Sequence, residues 1–180
     1  MVQISLDASS TCIGWSVFDD DVLIDYGKLQ PTKECVDYRQ RIINLIPQLH
    51  QVMKKYMPEK AYIEDVPLSK SGGIKTAIIL GAVQGAILGI CSSHNVETIF
   101  ISVATWRKNI GLFDGTKEGK ERDNLKPHSV AKANELFGLN LVYKSPSSKY
   151  NDDDISDSIL IYASTRDKYK VKHTFPTKRK

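Results

Sequence analysis

Asp7 stands between Leu6 and Ala8 in a segment that alternates apolar and polar residues, and Glu64 follows Tyr62 and Ile63 at the end of a short apolar run. A carboxylate inside an apolar strand is costly unless a cation, an arginine or a hydrogen-bond network compensates it. Taken singly, each reads as readily as a structural hydrogen-bonding carboxylate. A third acidic element, Asn151-Asp152-Asp153-Asp154-Ile155-Ser156-Asp157, leads into the apolar Ser158-Ile159-Leu160-Ile161. On a helix, Asp154 and Asp157, three apart, or Asp153 and Asp157, four apart, share one face. Helix capping accounts for one or two acids at a helix start, but not for Asp157, a turn further in. Should these elements converge, four carboxylates meet and their repulsion calls for cations. Hard oxygen donors select Mg²⁺ or Mn²⁺. Two such ions ~3.5–4 Å apart activate a water and stabilise the leaving oxygen in phosphodiester cleavage. Convergence requires the first and fourth strands to be neighbours.

The elements that must position these acids follow from periodicity. Residues 2–8, 12–18 and 22–29 read as strands, the last two joined by the polar turn Asp19-Asp20-Asp21, which gives an antiparallel meander. Residues 34–56 carry helical apolar spacing with Pro47 as a possible break. A strand over 61–66, a long helix from Gly72-Gly73 to about His94, a strand over 97–103 and a short helix over 104–110 come next. The polar stretch 111–126 is long for a connection in a compact domain. A helix over 127–137, with proline in its first turn, and a final helix over 151–165 complete a mixed sheet covered by helices. Residues 1–165 read as a single domain and 166–180 as a tail.

At 180 residues, with 41% hydrophobic and 26% charged residues, the composition is that of a globular domain and excludes a disordered or collagen-like chain. Cys12, Cys35 and Cys91 share no short spacing, so neither a disulfide framework nor a cysteine zinc site follows. No charged-then-apolar leader opens the sequence. The apolar run 74–90, interrupted by Lys75 and Gln84, falls short of the ~20 residues that a membrane span needs. A soluble cytoplasmic protein is expected. The net charge is +4, and the segment 166–180 holds seven Lys or Arg against Asp167, or +6. Its Lys168, Lys170 and Lys172 suit a polyanion, nucleic acid above all.

Smaller features admit two readings each. Gly81, Gly85 and Gly89 form a smooth helical stripe that suits packing on the protein's own sheet or a two-fold dimer interface. Ser69-Lys70-Ser71-Gly72-Gly73 precedes a helix whose first amides could hold phosphate, without the P-loop pattern. Lys117, Lys120, Arg122 and Lys126 are candidate DNA-backbone contacts, with Lys126 or Lys108 able to reach a scissile phosphate. Glu118, Glu121 and Asp123 interrupt that cluster and suit a solvated loop. His50, His94, His128 and His173 are scattered and read as structural or surface residues. Trp15 and Trp106 read as core aromatics.

Three motifs in order, LDASSTCIGWSVFD in the first hairpin, AYIED after the first helix and DDDISDSI opening the last, resemble the RuvC family of Holliday junction resolvases, and most of all its short phage-type members, over residues 2 to about 165. The resemblance implies an α/β, RNase H-like fold: a five-stranded mixed sheet, three antiparallel strands then two parallel, flanked by helices. It implies a homodimeric, Mg²⁺-dependent endonuclease (Mn²⁺ substituting, two ions per site) that makes paired nicks in four-way junctions or other branched DNA. Asp7, Glu64, Asp154 and Asp157 would be the catalytic metal ligands, with Asp153 competing with Asp154. The glycine stripe would be the dimer interface. The cell compartment would be the cytoplasm, the bacterial host's if the chain is phage-encoded. Pro67-Leu68 stand where better-known bacterial members place an aromatic, the loop before Lys126 is longer, and the basic tail is additional. Two other classes compete. One is an ATP-binding domain of the actin and sugar-kinase type, which normally needs a duplicated domain and a second glycine-rich loop. The other is a branched-DNA-binding module without catalysis, against which the four acids argue.

Overall fold

The computed structural model describes residues 1–66, 73–112 and 122–171, the side chains of 122–124 excepted. The strands are β1 (Val2–Ala8), β2 (Ile13–Asp19), β3 (Val22–Leu29), β4 (Lys60–Glu64) and β5 (Glu97–Ile101). The helices are α1 (Tyr38–Tyr56), α2 (Gly73–Ser93), α3 (Val103–Asn109), α4 (Arg122–Phe137) and α5 (Asp153–Ala163). The strands form one sheet in the order β3-β2-β1-β4-β5. β1, β2 and β3 pair antiparallel, and β4 pairs parallel to both β1 and β5. The expected five-stranded mixed sheet is present, and β1 and β4 are neighbours. Asp20 and Asp21 take positive φ at the β2–β3 turn, the conformation that tight hairpins with right-handed strand twist require.

Strand alternation divides the side chains between two cores. Ile4, Leu6, Val17, Ala61 and Ile63 face α1 and α2, where Leu45, Leu49, Met53, Val83, Ile87 and Ile90 cover them. The other face carries Phe18, Tyr62 and Ile101 under α5, with α3 and α4 alongside. Asp153 and every residue of α5 from Ile155 to Ala163 are buried, so this helix is enclosed on all sides. Small residues make room for it. Ser5 lies directly opposite Ser16, and Asp7 opposite Gly14, across the β1–β2 pair.

Several elements depart from the sequence reading. α1 starts at Tyr38 rather than near 34, because Asp37 caps it in a reciprocal capping box with Gln40. Pro47 lies inside that helix without ending it. α4 starts at Arg122, five residues before Pro127. Leu125 is buried, as are Val130 and Ala133, and the helix extends back into the stretch expected to be loop. By length and composition α2 is long and apolar enough to cross a membrane, although the broken apolar run predicts otherwise. Its Val83, Ile87 and Ile90 are nonetheless spent on the core. The glycine stripe does not pack on the sheet. Gly81, Gly85 and Gly89 are exposed, and a Cβ on any of them would meet none of the described residues within 4 Å. Ile74, Ile78 and Leu88 are exposed on the same helix. His50 and His94 meet, Nδ1 to Nε2 at 2.8 Å, between α1 and the residue after α2.

The described part of the tail folds back. Arg166 Nε lies 2.9 Å from Asp21, and Lys168 lies 3.5 Å from the same carboxylate. Lys170 pairs with Asp167, and the Val171 amide donates to the Asn109 carbonyl. Gly111, at φ +77°, leaves room for Val171.

Candidate metal centre

The register places Leu6 beside Ile63 in the parallel β1–β4 pair. Asp7 and Glu64 therefore follow at the carboxyl ends of adjacent strands, on the face that α5 covers. The first turn of α5 lies directly over Gly14, where a Cβ would stand 1.9 Å from the Asp154 carbonyl oxygen. A glycine at this point lets Asp154 and Asp157 approach Asp7. The four charges act on one another. Burial, then the negative charges of Glu64, Asp157 and Asp154, hold the Asp7 carboxyl well above its ordinary range, and Arg107 pulls the other way. Burial raises Asp157 to about 6; a hydrogen bond from Ser129 and the charge of Arg107 oppose it, while Glu64 and Asp154 add to it.

Among the described residues, Glu64 and Asp157 each accept from a donor of their own. Trp106 Nε1 donates to Glu64 Oε2 at 2.8 Å. Ser129 donates to Asp157, and Arg107 lies 4.0 Å from its other oxygen. Burial first, then the negative charge of Asp154, pushes the Cys12 thiol up. Among the described residues, no three His, Cys, Asp or Glu side chains close on a single point as a metal cluster would. Like charges in a poorly solvated site spread apart and recruit donors. The donor set, all hard carboxylate oxygen from three rigid elements, fits Mg²⁺ or Mn²⁺.

The acidic run divides its labour. Asn151 holds the preceding loop through Ser145 and Lys144. Asp152 accepts from the Val142 amide and pairs with Lys28. Asp153 pairs with Lys126, whereas Asp154 acts on both Asp7 and Asp157. Of the two candidates, Asp154 acts electrostatically on Asp7 and Asp157, and Asp153 is paired with a lysine.

Among the expected DNA contacts, Lys126 stands at the edge of the site through Asp153. Lys108 is exposed on α3, and its neighbour Arg107 is the cation that acts on Asp7 and Asp157. Lys168 pairs with Asp21 near the amino end of β1, the opposite end of the sheet from Asp7. Ser69, Lys70, Lys117, Lys120, Lys172 and the side chain of Arg122 lie outside the described residues. Sequence reasoning missed Gly14, Arg107 and Ser129, and it placed Trp106 in the core without its polar partner. One signal was present: α3 follows β5 immediately, so its residues return to the carboxyl ends of the parallel strands.

The raised carboxyls give a pH dependence. Between about pH 4 and 6 the folded protein holds a proton on Asp157 that the unfolded chain has released, so stability falls as pH rises through this window. Without divalent ions, the melting temperature is expected to be higher near pH 5 than at pH 7.5, and Mg²⁺ is expected to restore it at pH 7.5. Thermal unfolding across pH in EDTA and in Mg²⁺ checks this; a melting temperature that climbs from pH 5 to 7.5 in EDTA contradicts it.

Comparison with known proteins accords with this arrangement. No family model matches the chain. It is 30% identical over 100 residues to the crossover junction endodeoxyribonuclease RuvC of Nitratidesulfovibrio vulgaris, covering 53% of this chain and 58% of that protein. The match thus spans little more than half of that relative's length. The protein of the same name from Dictyoglomus thermophilum is 27% identical over 158 residues, covering 80% of this chain and 98% of the relative. Thermus thermophilus RuvC, solved in complex with a Holliday junction substrate, superposes with a TM-score of 0.64 at 14% identity, covering 93% of this chain and 98% of that one. The chain is thus similar in sequence to crossover junction endodeoxyribonucleases of the RuvC type and shares its fold with the solved RuvC structure.

Proposed function

We propose that the chain is a divalent-ion-dependent endonuclease that cuts branched DNA, with the four-way junction as its main substrate. What supports this is that Asp7, Glu64, Asp154 and Asp157, from β1, β4 and α5, act on one another electrostatically near the carboxyl ends of the parallel strands. These four would hold two Mg²⁺ ions, for which Mn²⁺ substitutes. Bound there, such ions supply an activated water and stabilise the leaving oxygen. The chain itself supplies orientation and charge. Buried β1 and β4 fix Asp7 and Glu64, and enclosed α5 fixes the other two. Arg107 and Lys126 place positive charge where a phosphodiester must approach a group of acids. Ser69, Lys70, Lys108, Lys117, Lys120 and Arg122 would follow the DNA backbone, and Lys172 with its neighbours would add sequence-independent phosphate contacts. The setting is the cytoplasm of a bacterium, as a phage host if the chain is phage-encoded.

The working unit is a homodimer formed through α2. Its exposed face combines Ile74, Ile78 and Leu88 with three glycines, and a two-fold axis lets such a patch cover itself. A second copy is the fitting cover rather than a bilayer, because a spanning helix could not also pack Val83, Ile87 and Ile90 on the sheet. Gly85→Leu is expected to shift the protein to monomer in analytical ultracentrifugation with little change in far-ultraviolet circular dichroism. A wild-type protein that sediments as a monomer at micromolar concentration, with and without DNA, rejects the dimer.

The function is tested on a synthetic four-way junction, a fork and a linear duplex, each with Mg²⁺ and with EDTA. Paired nicks in the junction, weaker cutting of the fork, and an intact duplex are expected in Mg²⁺, with no cutting in EDTA. Junction binding without any nick would instead indicate a non-catalytic module. Saturable ATP binding without nuclease activity would indicate the actin and sugar-kinase alternative.

A further inference from the structure

Glu64 is gripped at both ends by neutral donors from different helices. Gln84, a polar residue within apolar α2, donates Nε2–H to the Glu64 backbone carbonyl at 2.9 Å. Trp106, fully buried on α3, donates its indole N–H to Glu64 Oε2 at 2.8 Å. Trp106 belongs to the core cluster that includes Ile101, Ile155 and Ile159, so its ring is fixed by β5 and α5. Chemically, an arginine or lysine at this place would neutralise the carboxylate and compete with an incoming ion. An indole N–H donates to one oxygen without bringing a positive charge of its own. Gln84 does the same for the backbone, adding a donor without adding charge.

We propose that Trp106 and Gln84 are positioning residues for Glu64: Trp106 fixes the orientation of its carboxylate through Oε2, while Gln84 holds the end of β4 in place. The proposal rests on reading Glu64 as a metal ligand. It places a hydrogen-bonding partner behind a ligand, where loss of the partner costs about 10–100-fold in metal affinity. Gln84 also sits beside Gly85 on α2, so the helix offered to a second copy is joined to the metal site through one side-chain hydrogen bond.

Mn²⁺ binding measured by titration calorimetry on the full chain tests this. Trp106→Phe keeps the ring and removes the donor. It is expected to remain folded, to raise the Mn²⁺ dissociation constant about tenfold, and to recover most of its nicking rate at saturating Mn²⁺. Gln84→Met is expected to shift affinity in the same direction by less. Folded Trp106→Phe with wild-type Mn²⁺ affinity overturns the proposal. Nuclear magnetic resonance keeps it falsifiable if Trp106→Phe does not fold. The chain has two tryptophans, hence two indole N–H resonances, and Trp15→Phe assigns them. The Trp106 resonance is expected to move on Mg²⁺ addition and to stay put in Glu64→Gln. A Trp106 resonance that ignores saturating Mg²⁺ in a protein that calorimetry shows to bind the ion overturns the positioning role alone. A wild-type protein that takes up no Mn²⁺ overturns the role together with the metal reading beneath it.

Discussion

Asp7→Asn is expected to lower the rate of four-way junction nicking on the order of 10³-fold, since a metal-stabilised transition state is worth several kcal/mol. The same substitution is expected to raise the melting temperature of the ion-free protein. Asp7 is partly buried, and its charge is opposed by Glu64, Asp157 and Asp154, so an amide of equal size removes repulsion. Junction affinity in EDTA is expected to hold or improve, because one negative charge facing phosphate is gone. Activity and stability thus move in opposite directions, which an unfolded variant cannot imitate. Nicking kinetics, a gel-shift titration and a thermal melt of one preparation check all three. Wild-type nicking by Asp7→Asn removes Asp7 from the chemistry.

Gly14→Ala is the second large effect. The added Cβ would stand 1.9 Å from the Asp154 carbonyl oxygen and 2.3 Å from its carbon, both backbone atoms that no rotamer change can move. The first turn of α5 must lift by more than an ångström. Misplacement on that scale can cost on the order of 10²-fold in rate, and overpacking of a fixed contact costs about 1–3 kcal/mol of stability. Urea unfolding and nicking by the variant measure the two losses. A variant of normal stability and rate would show that α5 does not depend on Gly14 for its seat.

What was legible in the sequence depended on the range over which each signal acts. Period-two patterning at Ile4 and Leu6, and at Ala61 and Ile63, exposed the strands, and the odd carboxylates Asp7 and Glu64 stood out against it. The run from Asp152 to Asp157 could not be sorted by spacing, because Asp153 and Asp154 are both acceptable on a helix face. Their surroundings differ through what lies outside the run: Lys126 on α4 pairs with Asp153, and Gly14 on β2 makes room for the Asp154 backbone. Arg107 and Ser129 were invisible for the same reason, being partners of Asp157 only once α3 and α4 are packed. The glycine stripe announced close packing but not its direction; Val83, Ile87 and Ile90 turn it away from the sheet. The tail's net charge pointed to a polyanion partner, but not to Asp21, distant in sequence, which pairs with its first residues Arg166 and Lys168. His50 and His94, 44 residues apart, carried no local signal of their pairing.

Anomalous diffraction from Mn²⁺ in crystals of the protein bound to an uncleavable four-way junction tests the central assignment most directly. The predicted result is strong manganese density ringed by Asp7, Glu64, Asp154 and Asp157, with Asp153 still paired to Lys126. Manganese bound through Asp152 or Asp153 and away from Asp7, or a site with no manganese under conditions where the wild-type protein nicks the junction, would contradict it.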